Sequence, residues 1–132
     1  MKILDGKLVS LKILNDIKSE IKNLDATPKI AIILIGENQA SETYVKNKMI
    51  ASDKCGIKSV LMRFKKDVSE REILNVIDSL NDDDSYHGMI VQMPIPNHIN
   101  SQKIINSISP DKDIDGFHPY NFGKMSMGID SF

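Results

Sequence analysis

Three groups of polar side chains in the sequence could do chemistry together, and each is near the predicted end of a helix or strand. Tyr44 and Lys48 are four residues apart, so on a helix a phenol and an amine share one face. Gln92 directly follows an apolar run. Asp113 and Asp115 lie two residues apart later in the chain. A phenol, an amine, an amide and two carboxylates indicate a candidate active site.

Each of these residues also has an ordinary structural interpretation. A helix lysine is usually solvated, and a Tyr/Lys pair on a helix surface contributes only a few tenths of a kcal/mol. A lysine becomes a usable acid or base near neutral pH only when it is partly desolvated or close to another cation. The amide of Gln92 either meets a substrate or Lys48, or is satisfied by loop backbone, and the residue alone favours neither. Asp113 and Asp115 alternate in a segment predicted to be extended, so at most one should face the site.

Apolar patterns predict the elements that would position these side chains. Helices and strands alternate in the predicted order, starting with a helix, over residues 6–24, 29–35, 41–54, 57–64, 69–80, 88–91 and 101–108. Lys29–Ile35 is a continuous apolar run after its first residue, which predicts a central strand buried on both faces. Residues 57–64 alternate apolar and polar, which predicts a more exposed strand. Ser69–Glu72 is a capping box, and Gly56 is placed to end a helix.

This alternation predicts an α/β fold, a three-layer domain with a mostly parallel sheet flanked by helices. A length of 132 residues fits one domain. Ligands of such sheets gather beyond the carboxyl ends of the strands. Gly36–Tyr44 and Gln92 each follow a strand end, so we expect them on one rim. The stiff segment Pro94–Pro96 is expected to form one wall of a cleft there.

Composition and charge argue against several function classes. A formal charge of −1 with interspersed signs gives no electrostatic reason to expect a nucleic-acid or membrane partner. The single cysteine, Cys55, excludes an intramolecular disulfide, and the paired carboxylates lack the further oxygen ligands that a metal needs. Neither a signal-peptide pattern nor a long apolar run occurs, so a reducing, cytoplasmic setting is expected. Dinucleotide, Walker, nucleophile-elbow and H-E-x-x-H patterns are also missing.

Four segments together resemble the N-terminal, folate-binding domain of the bifunctional methylenetetrahydrofolate dehydrogenase/methenyltetrahydrofolate cyclohydrolase family. The matching segments are Leu4–Lys7, Ile35–Lys48, Gly88–Pro96 and Ser109–Pro119, followed by Asn121 and Gly123. They occur in the family's order and at its spacing, and the resemblance covers essentially the whole chain.

The resemblance implies a substrate site formed by Ser41, Tyr44, Lys48, Val91, Gln92, Met93 and Asp115. In it, Lys48 is the catalytic lysine, Tyr44 packs on the folate, and Gln92 hydrogen-bonds to the lysine and tunes it. Asp115 holds the pterin, and Ser41 lies at the edge of the same site.

The resemblance also implies an activity in one-carbon metabolism and purine biosynthesis. The parent enzyme oxidises 5,10-methylenetetrahydrofolate to 5,10-methenyltetrahydrofolate with NADP or NAD, then hydrolyses it to 10-formyltetrahydrofolate. The family continues after a segment similar to Met127–Phe132 into a Pro-Cys-Thr-Pro-like stretch and a Rossmann domain, which these 132 residues do not contain. We therefore expect residues 1–132 to be the catalytic domain of a truncated two-domain, homodimeric enzyme, with the cofactor site outside this chain.

Two alternatives from other function classes remain open. One is a non-catalytic folate-binding or regulatory module, and the other is an α/β interaction domain in which the motifs are structural. Binding of a folate analogue would separate the interaction domain from the first two functions. Hydrolysis of methenyltetrahydrofolate would separate the enzyme from the binding module.

Overall fold

Helices and strands alternate along residues 4–130, the part of the chain that the computed structural model describes. The α-helices of this part are α1 (Gly6–Ile21), α2 (Gln39–Cys55), α3 (Glu70–Asp82), α4 (Ser101–Ser107) and α5 (Pro119–Ser126). The strands are β1 (Lys29–Ile35), β2 (Lys58–Phe64) and β3 (Gly88–Val91), and a short 3-10 helix spans Pro110–Lys112. The predicted α/β class is confirmed. None of the helices within residues 4–130 combines the length and the apolar character that a bilayer crossing requires.

The three strands form a parallel sheet in the order β2–β1–β3. Ile33 of β1 is paired with Met62 of β2 on one side and with Val91 of β3 on the other. Burial follows this order, because Ala31–Ile35 is fully buried whereas β2 is at most half-buried. The central place predicted for β1 and the more exposed place predicted for β2 are therefore confirmed.

The side chains of β1 alternate between two hydrophobic cores, one on each face of the sheet. The odd-numbered positions from Ala31 to Ile35 pack into the larger core with α3 and α4. Ile32 and Leu34 face the other way and pack with Val45 of α2. Successive side chains of a strand point to opposite faces, so one short apolar run anchors helices on both sides. This arrangement is the predicted three-layer domain.

Local capping signals set the ends of α2 and α3. The Asn38 side chain accepts a hydrogen bond of 3.0 Å from the Ser41 backbone N–H, so α2 begins at Gln39, two residues before the predicted start. Gly56 follows the helix at a φ of 89°, a left-handed conformation that glycine adopts without strain. Ser69 caps α3, as the capping box predicts.

The segment after α4 differs most from the prediction. Residues 112–119 are predicted to be extended, but the structure shows the end of a 3-10 turn, one parallel bridge between Met89 and Asp113, and a turn at residues 114–115 that is followed by Gly116 at a positive φ. The helix α5 that follows is not predicted at all. At the other end of the chain, α1 stops at Ile21 rather than Leu24, where the chain turns away.

Candidate active site

The candidate site lies at the carboxyl end of the parallel sheet. β1 and β3 are hydrogen-bonded neighbours, and the Gln92 backbone N–H donates to the Ile33 carbonyl at 2.9 Å, which extends their pairing by one residue. From the end of β1 the chain turns at Gly36, with a φ of 80°, and enters α2 within three residues. Gln92 and the first turns of α2 therefore share one rim, as predicted.

Three polar residues of α2 occupy one helix face, namely Ser41, Tyr44 and Lys48. Ser41 is buried, Tyr44 is 64% exposed, and Lys48 is half-buried. Val45 beside them is buried in the smaller core, which fixes the rotation of the helix against the sheet. The helix thus presents an exposed aromatic ring next to a partly shielded amine, a surface on which a planar ligand can stack.

Lys48 forms an ion pair with Asp115, a residue 67 positions later in the chain. The Lys48 Nζ atom lies 3.2 Å from Asp115 Oδ1 and 3.4 Å from Oδ2. The two side chains are 33% and 25% exposed, so water and salt screen this pair less than a fully exposed one. The pair joins the first and third groups of candidate residues into one site.

Gln92 does not form the hydrogen bond with Lys48 that we expect. Its Nε2 atom donates to the Met93 carbonyl at 2.7 Å, while the Lys48 amine donates to Asp115. The Gln92 amide nitrogen is thus satisfied by loop backbone, one of the two interpretations left open by the sequence.

The amide oxygen of Gln92 behaves differently from its nitrogen. Gln92 Oε1 and Ser41 Oγ are buried without a hydrogen-bond partner, and within residues 4–130 no other buried side-chain nitrogen or oxygen is left in that state. Buried polar groups are nearly always paired in folded proteins. Two unpaired oxygens on elements that meet at this rim therefore indicate a place for hydrogen bonds from a ligand.

Asp113 and Asp115 lie in different surroundings, as predicted, although a turn rather than an extended segment carries Asp115. Asp113 is only 3% exposed, and its Oδ2 accepts hydrogen bonds from the His118 backbone N–H at 2.8 Å and from Asn121 Nδ2 at 3.1 Å. Asp115 is partly exposed and faces Lys48. Of the two carboxylates, Asp115 is the one that a ligand can reach.

A cleft of about 400 Å³ lies at the same rim. Its lining residues are Ile35, Gly36, Glu37, Asn38, Lys66, Pro94, Ile95 and Pro96. The wall predicted for Pro94–Pro96 is therefore confirmed. Tyr44, Lys48 and Asp115 do not line this cleft, so it is a separate part of the rim. Val91 packs in the larger core, so any contact it makes with a ligand would use its backbone.

Charge pairs support the elements around the site. Arg63 of β2 pairs with Glu42 in the first turn of α2, with Nη2 2.8 Å from Oε2, and this hydrogen-bonded contact holds the pKa of the Glu42 carboxyl below its ordinary value.

Within the described residues, no three His, Cys, Asp or Glu side chains come together as a metal-ligand group.

The fold is that of the parallel α/β domains, in which ligands gather beyond the carboxyl ends of the strands, and the rim with Lys48 lies at that end of the sheet. Residues 4–115 match the family model described as tetrahydrofolate dehydrogenase/cyclohydrolase, catalytic domain. The chain belongs to this family, and the resemblance found in the sequence is confirmed.

Known relatives agree with this assignment. The bifunctional protein FolD of Hydrogenobaculum sp. is 49% identical over 128 residues, which are 97% of this chain and 46% of the relative. The crystal structure of the bifunctional enzyme FolD from Campylobacter jejuni superposes with a TM-score of 0.95 at 43% identity, covering 99% of this chain and 48% of that one.

A more distant relative was solved with ligands. The FolD of Trypanosoma brucei, complexed with NADP cofactor and inhibitor, has a TM-score of 0.87 at 26% identity, over 94% of this chain and 43% of that one. The chain therefore spans about half the length of the relatives it matches.

Proposed function

We propose that residues 1–132 form the folate-binding catalytic domain of a methylenetetrahydrofolate dehydrogenase/methenyltetrahydrofolate cyclohydrolase. The main supporting observation is the Lys48–Asp115 ion pair beside the exposed ring of Tyr44, in a chain that belongs to this family. The complete enzyme would oxidise 5,10-methylenetetrahydrofolate with NADP or NAD and hydrolyse the methenyl product to 10-formyltetrahydrofolate. Family membership is the support for a cytoplasmic, homodimeric enzyme of one-carbon metabolism and purine biosynthesis.

Binding of the pterin would use Tyr44 and Asp115. The exposed Tyr44 ring offers a stacking surface. A pterin presents an amino group and a ring N–H side by side, and the Asp115 carboxylate can accept from both. Because Asp115 is held by Lys48 in the free protein, the pterin would take over this carboxylate and release the lysine amine. The unpaired Oε1 of Gln92 is then the acceptor available to the freed amine.

Lys48 would carry the proton in the hydrolysis. Water adds to the cationic methenyl carbon and loses one proton, the bond from this carbon to N5 breaks, and the remaining hydroxyl loses its proton as the formyl C=O forms. A lysine that accepts the first proton and donates it to the leaving N5 leaves the hydroxyl proton to be released to solvent, so both protons of the water and the positive charge of the substrate are accounted for. Such positioned proton transfer contributes about 10²- to 10⁴-fold to a rate. Gln92 would act by holding the amine in place rather than by transferring a proton.

The loop between β1 and α2 does not fit the phosphates of a dinucleotide. The loop from β1 to α2 is where a phosphate cradle would be expected, but it contains one glycine, Gly36, and the helix N-terminus is already capped by Asn38. We therefore propose that the nicotinamide cofactor is bound outside this chain, and we assign no hydride-transfer step to these residues.

Two measurements on the purified 132-residue chain test the proposal. The first is titration with 5-formyltetrahydrofolate, a stable folate, and the second is hydrolysis of 5,10-methenyltetrahydrofolate. Binding with hydrolysis supports the catalytic domain, and binding without hydrolysis favours the non-catalytic folate-binding module. Failure to bind would favour the interaction domain. Production of NADPH or NADH by this chain would contradict a cofactor site outside it.

A further inference from the structure

The loop that carries Asp115 is fastened at both of its ends. At its start, Asp113 is bridged to Met89 of β3, so the loop leaves from the edge of the sheet. At its end, the His118 backbone N–H donates back to Asp113 Oδ2 at 2.8 Å. Asp115 and the left-handed Gly116 lie between these two points. The position of the Asp115 carboxylate therefore depends on the geometry of Asp113.

Asn121 connects this loop to α5 and to the turn before it. Its Nδ2 atom donates to Asp113 Oδ2 at 3.1 Å and to the Pro110 carbonyl at 2.8 Å. Both side chains of the Asp113–Asn121 pair are nearly inaccessible, at 3% and 4% exposed. Neither residue forms a hydrogen bond with Lys48, whose partner is Asp115, so Asp115 is the link through which the pair can act on the site.

A buried carboxylate contributes little to net stability, because the cost of removing its charge from water offsets its hydrogen bonds. The carboxylate does constrain the conformation of the loop, because it accepts directional hydrogen bonds from a side-chain amide and from a backbone N–H. The intact pair is therefore expected to set the geometry of the loop, and removal of one partner should also lower the free energy of unfolding, because a buried charge is left with too few hydrogen bonds.

We propose that Asp113 and Asn121 form a positioning pair that fixes the Asp115 carboxylate opposite Lys48 and so sets the affinity of the site for a pterin. The ion-pair part of this proposal is independent of the ligand, whereas the affinity part rests on the proposed function. Neither residue is catalytic, because both act through Asp115.

The ligand-independent test measures how readily the Lys48 amine reacts. In Asn121→Ala, which removes both donated hydrogen bonds, the loop should move and release Lys48. Brief acetylation followed by mass spectrometry should then show labelling of Lys48 about two- to fivefold faster than in the wild type, the range expected for loss of one partly exposed ion pair. Asp115→Ala removes the partner of Lys48 altogether, so its labelling rate sets the upper limit expected for a fully released Lys48 amine.

Two controls separate positioning from general loosening. Lys103, paired with Glu70 at 2.8 Å, reports on the rest of the surface and should keep its labelling rate. Asn106→Ala, an exposed asparagine of α4, should change neither lysine. Equal acceleration of Lys48 and Lys103, or unchanged labelling of Lys48 in a folded Asn121→Ala protein, would overturn the proposal.

A second variant covers the case in which Asn121→Ala does not fold. Asp113→Asn keeps the size of the side chain and one oxygen for the His118 N–H, but loses the charge that Asn121 meets. It should accelerate Lys48 labelling in the same direction and by a smaller factor. Loss of folding in both variants would assign the pair a structural role and overturn the proposal.

The affinity part is tested by a double-mutant cycle with 5-formyltetrahydrofolate. Asn121→Ala should weaken binding about tenfold in the wild type but less than about twofold in an Asp115→Ala background, because the carboxylate it positions is then missing. Equal losses in both backgrounds would show that Asn121 acts independently of Asp115. If the wild type does not bind this folate, the proposed function fails, while the labelling experiment still decides whether the pair positions Asp115.

Discussion

The two residues of the Lys48–Asp115 ion pair are held by very different kinds of structure. Lys48 lies on α2, a helix of 17 residues whose backbone hydrogen bonds repeat along its length. Asp115 lies in an irregular loop that is fixed by a few side chains, chiefly Asp113 and Asn121. Many equivalent backbone hydrogen bonds hold a helix residue in place, so the loss of one changes its position little. The position of a residue in such a loop depends on each of a few hydrogen bonds. Apart from Lys48 itself, we therefore expect the geometry of the site to tolerate changes in α2 better than changes along residues 107–121.

The largest effect is expected from removing the reactive group on the helix side. Lys48→Met keeps much of the side-chain volume but removes the proton carrier, so cyclohydrolase turnover of the enzyme containing this domain should fall about 100- to 10,000-fold. Folate affinity should change far less, because Tyr44 and Asp115 remain. Steady-state hydrolysis and folate titration check both parts, and a turnover within a few fold of the wild type would exclude Lys48 as the proton carrier.

The next effect concerns the carboxylate on the loop side. Asp115→Ala should weaken binding of 5-formyltetrahydrofolate by about 1.5–3 kcal/mol, the range for a hydrogen bond to a charged group. Calorimetric titration measures this directly. Asp111→Ala, an exposed carboxylate in the neighbouring 3-10 turn, is the matched control and should leave affinity unchanged. Equal affinity of Asp115→Ala and the wild type for this folate would show that Asp115 does not bind the pterin.

Two substitutions of similar cost to stability sharpen the comparison. Asn81 of α3 joins the Ser107 carbonyl at 2.7 Å and the Ser109 N–H at 2.9 Å, so it holds the start of the loop side. Asn81→Ala should lower the free energy of unfolding by about 1–3 kcal/mol and also weaken folate binding.

Gly56→Ala is the corresponding change on the helix side, since Gly56 ends α2 at a φ of 89°. An alanine in this conformation costs about 1–2 kcal/mol, but folate affinity should stay within about twofold because the register of α2 is unchanged. Urea unfolding and folate titration of both variants check the contrast. A loss of affinity in Gly56→Ala as large as that in Asn81→Ala would contradict the difference between the two sides.

The smallest effect is a pH dependence on the helix side. The Arg63 contact lowers the folded-state pKa of Glu42 below its ordinary 4.5. A carboxyl whose pKa is lowered by folding contributes stability above its unfolded-state pKa, and this contribution is lost as the pH falls through the folded-state value. Arg63→Met should therefore lower the urea midpoint slightly at pH 7, and the difference from the wild type should shrink below pH 4.5. A difference that grows at low pH would have the wrong sign.

The elements with regular periodicity could be predicted from the sequence. The apolar run of β1 and the apolar–polar alternation of β2 are patterns of consecutive residues, so they can be read directly from the sequence. Both predicted places in the sheet, central for β1 and more exposed for β2, are confirmed. The helix α5 is not predicted, although the sequence contains one signal for its start, because proline at Pro119 favours the first turn of a helix. In the structure, the His118 side chain also caps this helix by accepting from the Tyr120 N–H. Gly123 within the same helix weakens that signal, since glycine is a poor helix former.

The ion pair could not be predicted from the residues alone. The sequence correctly predicts that Gln92 and α2 lie close together, because both follow the carboxyl ends of neighbouring parallel strands. Asp115 reaches Lys48 through a turn, a single bridge and a side-chain network, none of which has a periodic pattern. In the structure the Lys48 amine donates to Asp115 and the Gln92 amide nitrogen donates to the Met93 carbonyl, so the expected Lys48–Gln92 hydrogen bond is not formed.

The bridge between Met89 and Asp113 has a consequence for the solubility of the protein. β3 lies at the margin of the sheet, and all four of its residues are buried and largely apolar. Ile114 covers the start of this strand so closely that a Cβ on Gly88 would lie 2.6 Å from two of its side-chain atoms. An uncovered apolar strand edge is a template for pairing with another chain. Loosening the loop would thus expose an aggregation-prone edge, so weakened ligand binding and self-association should appear together in the same variants.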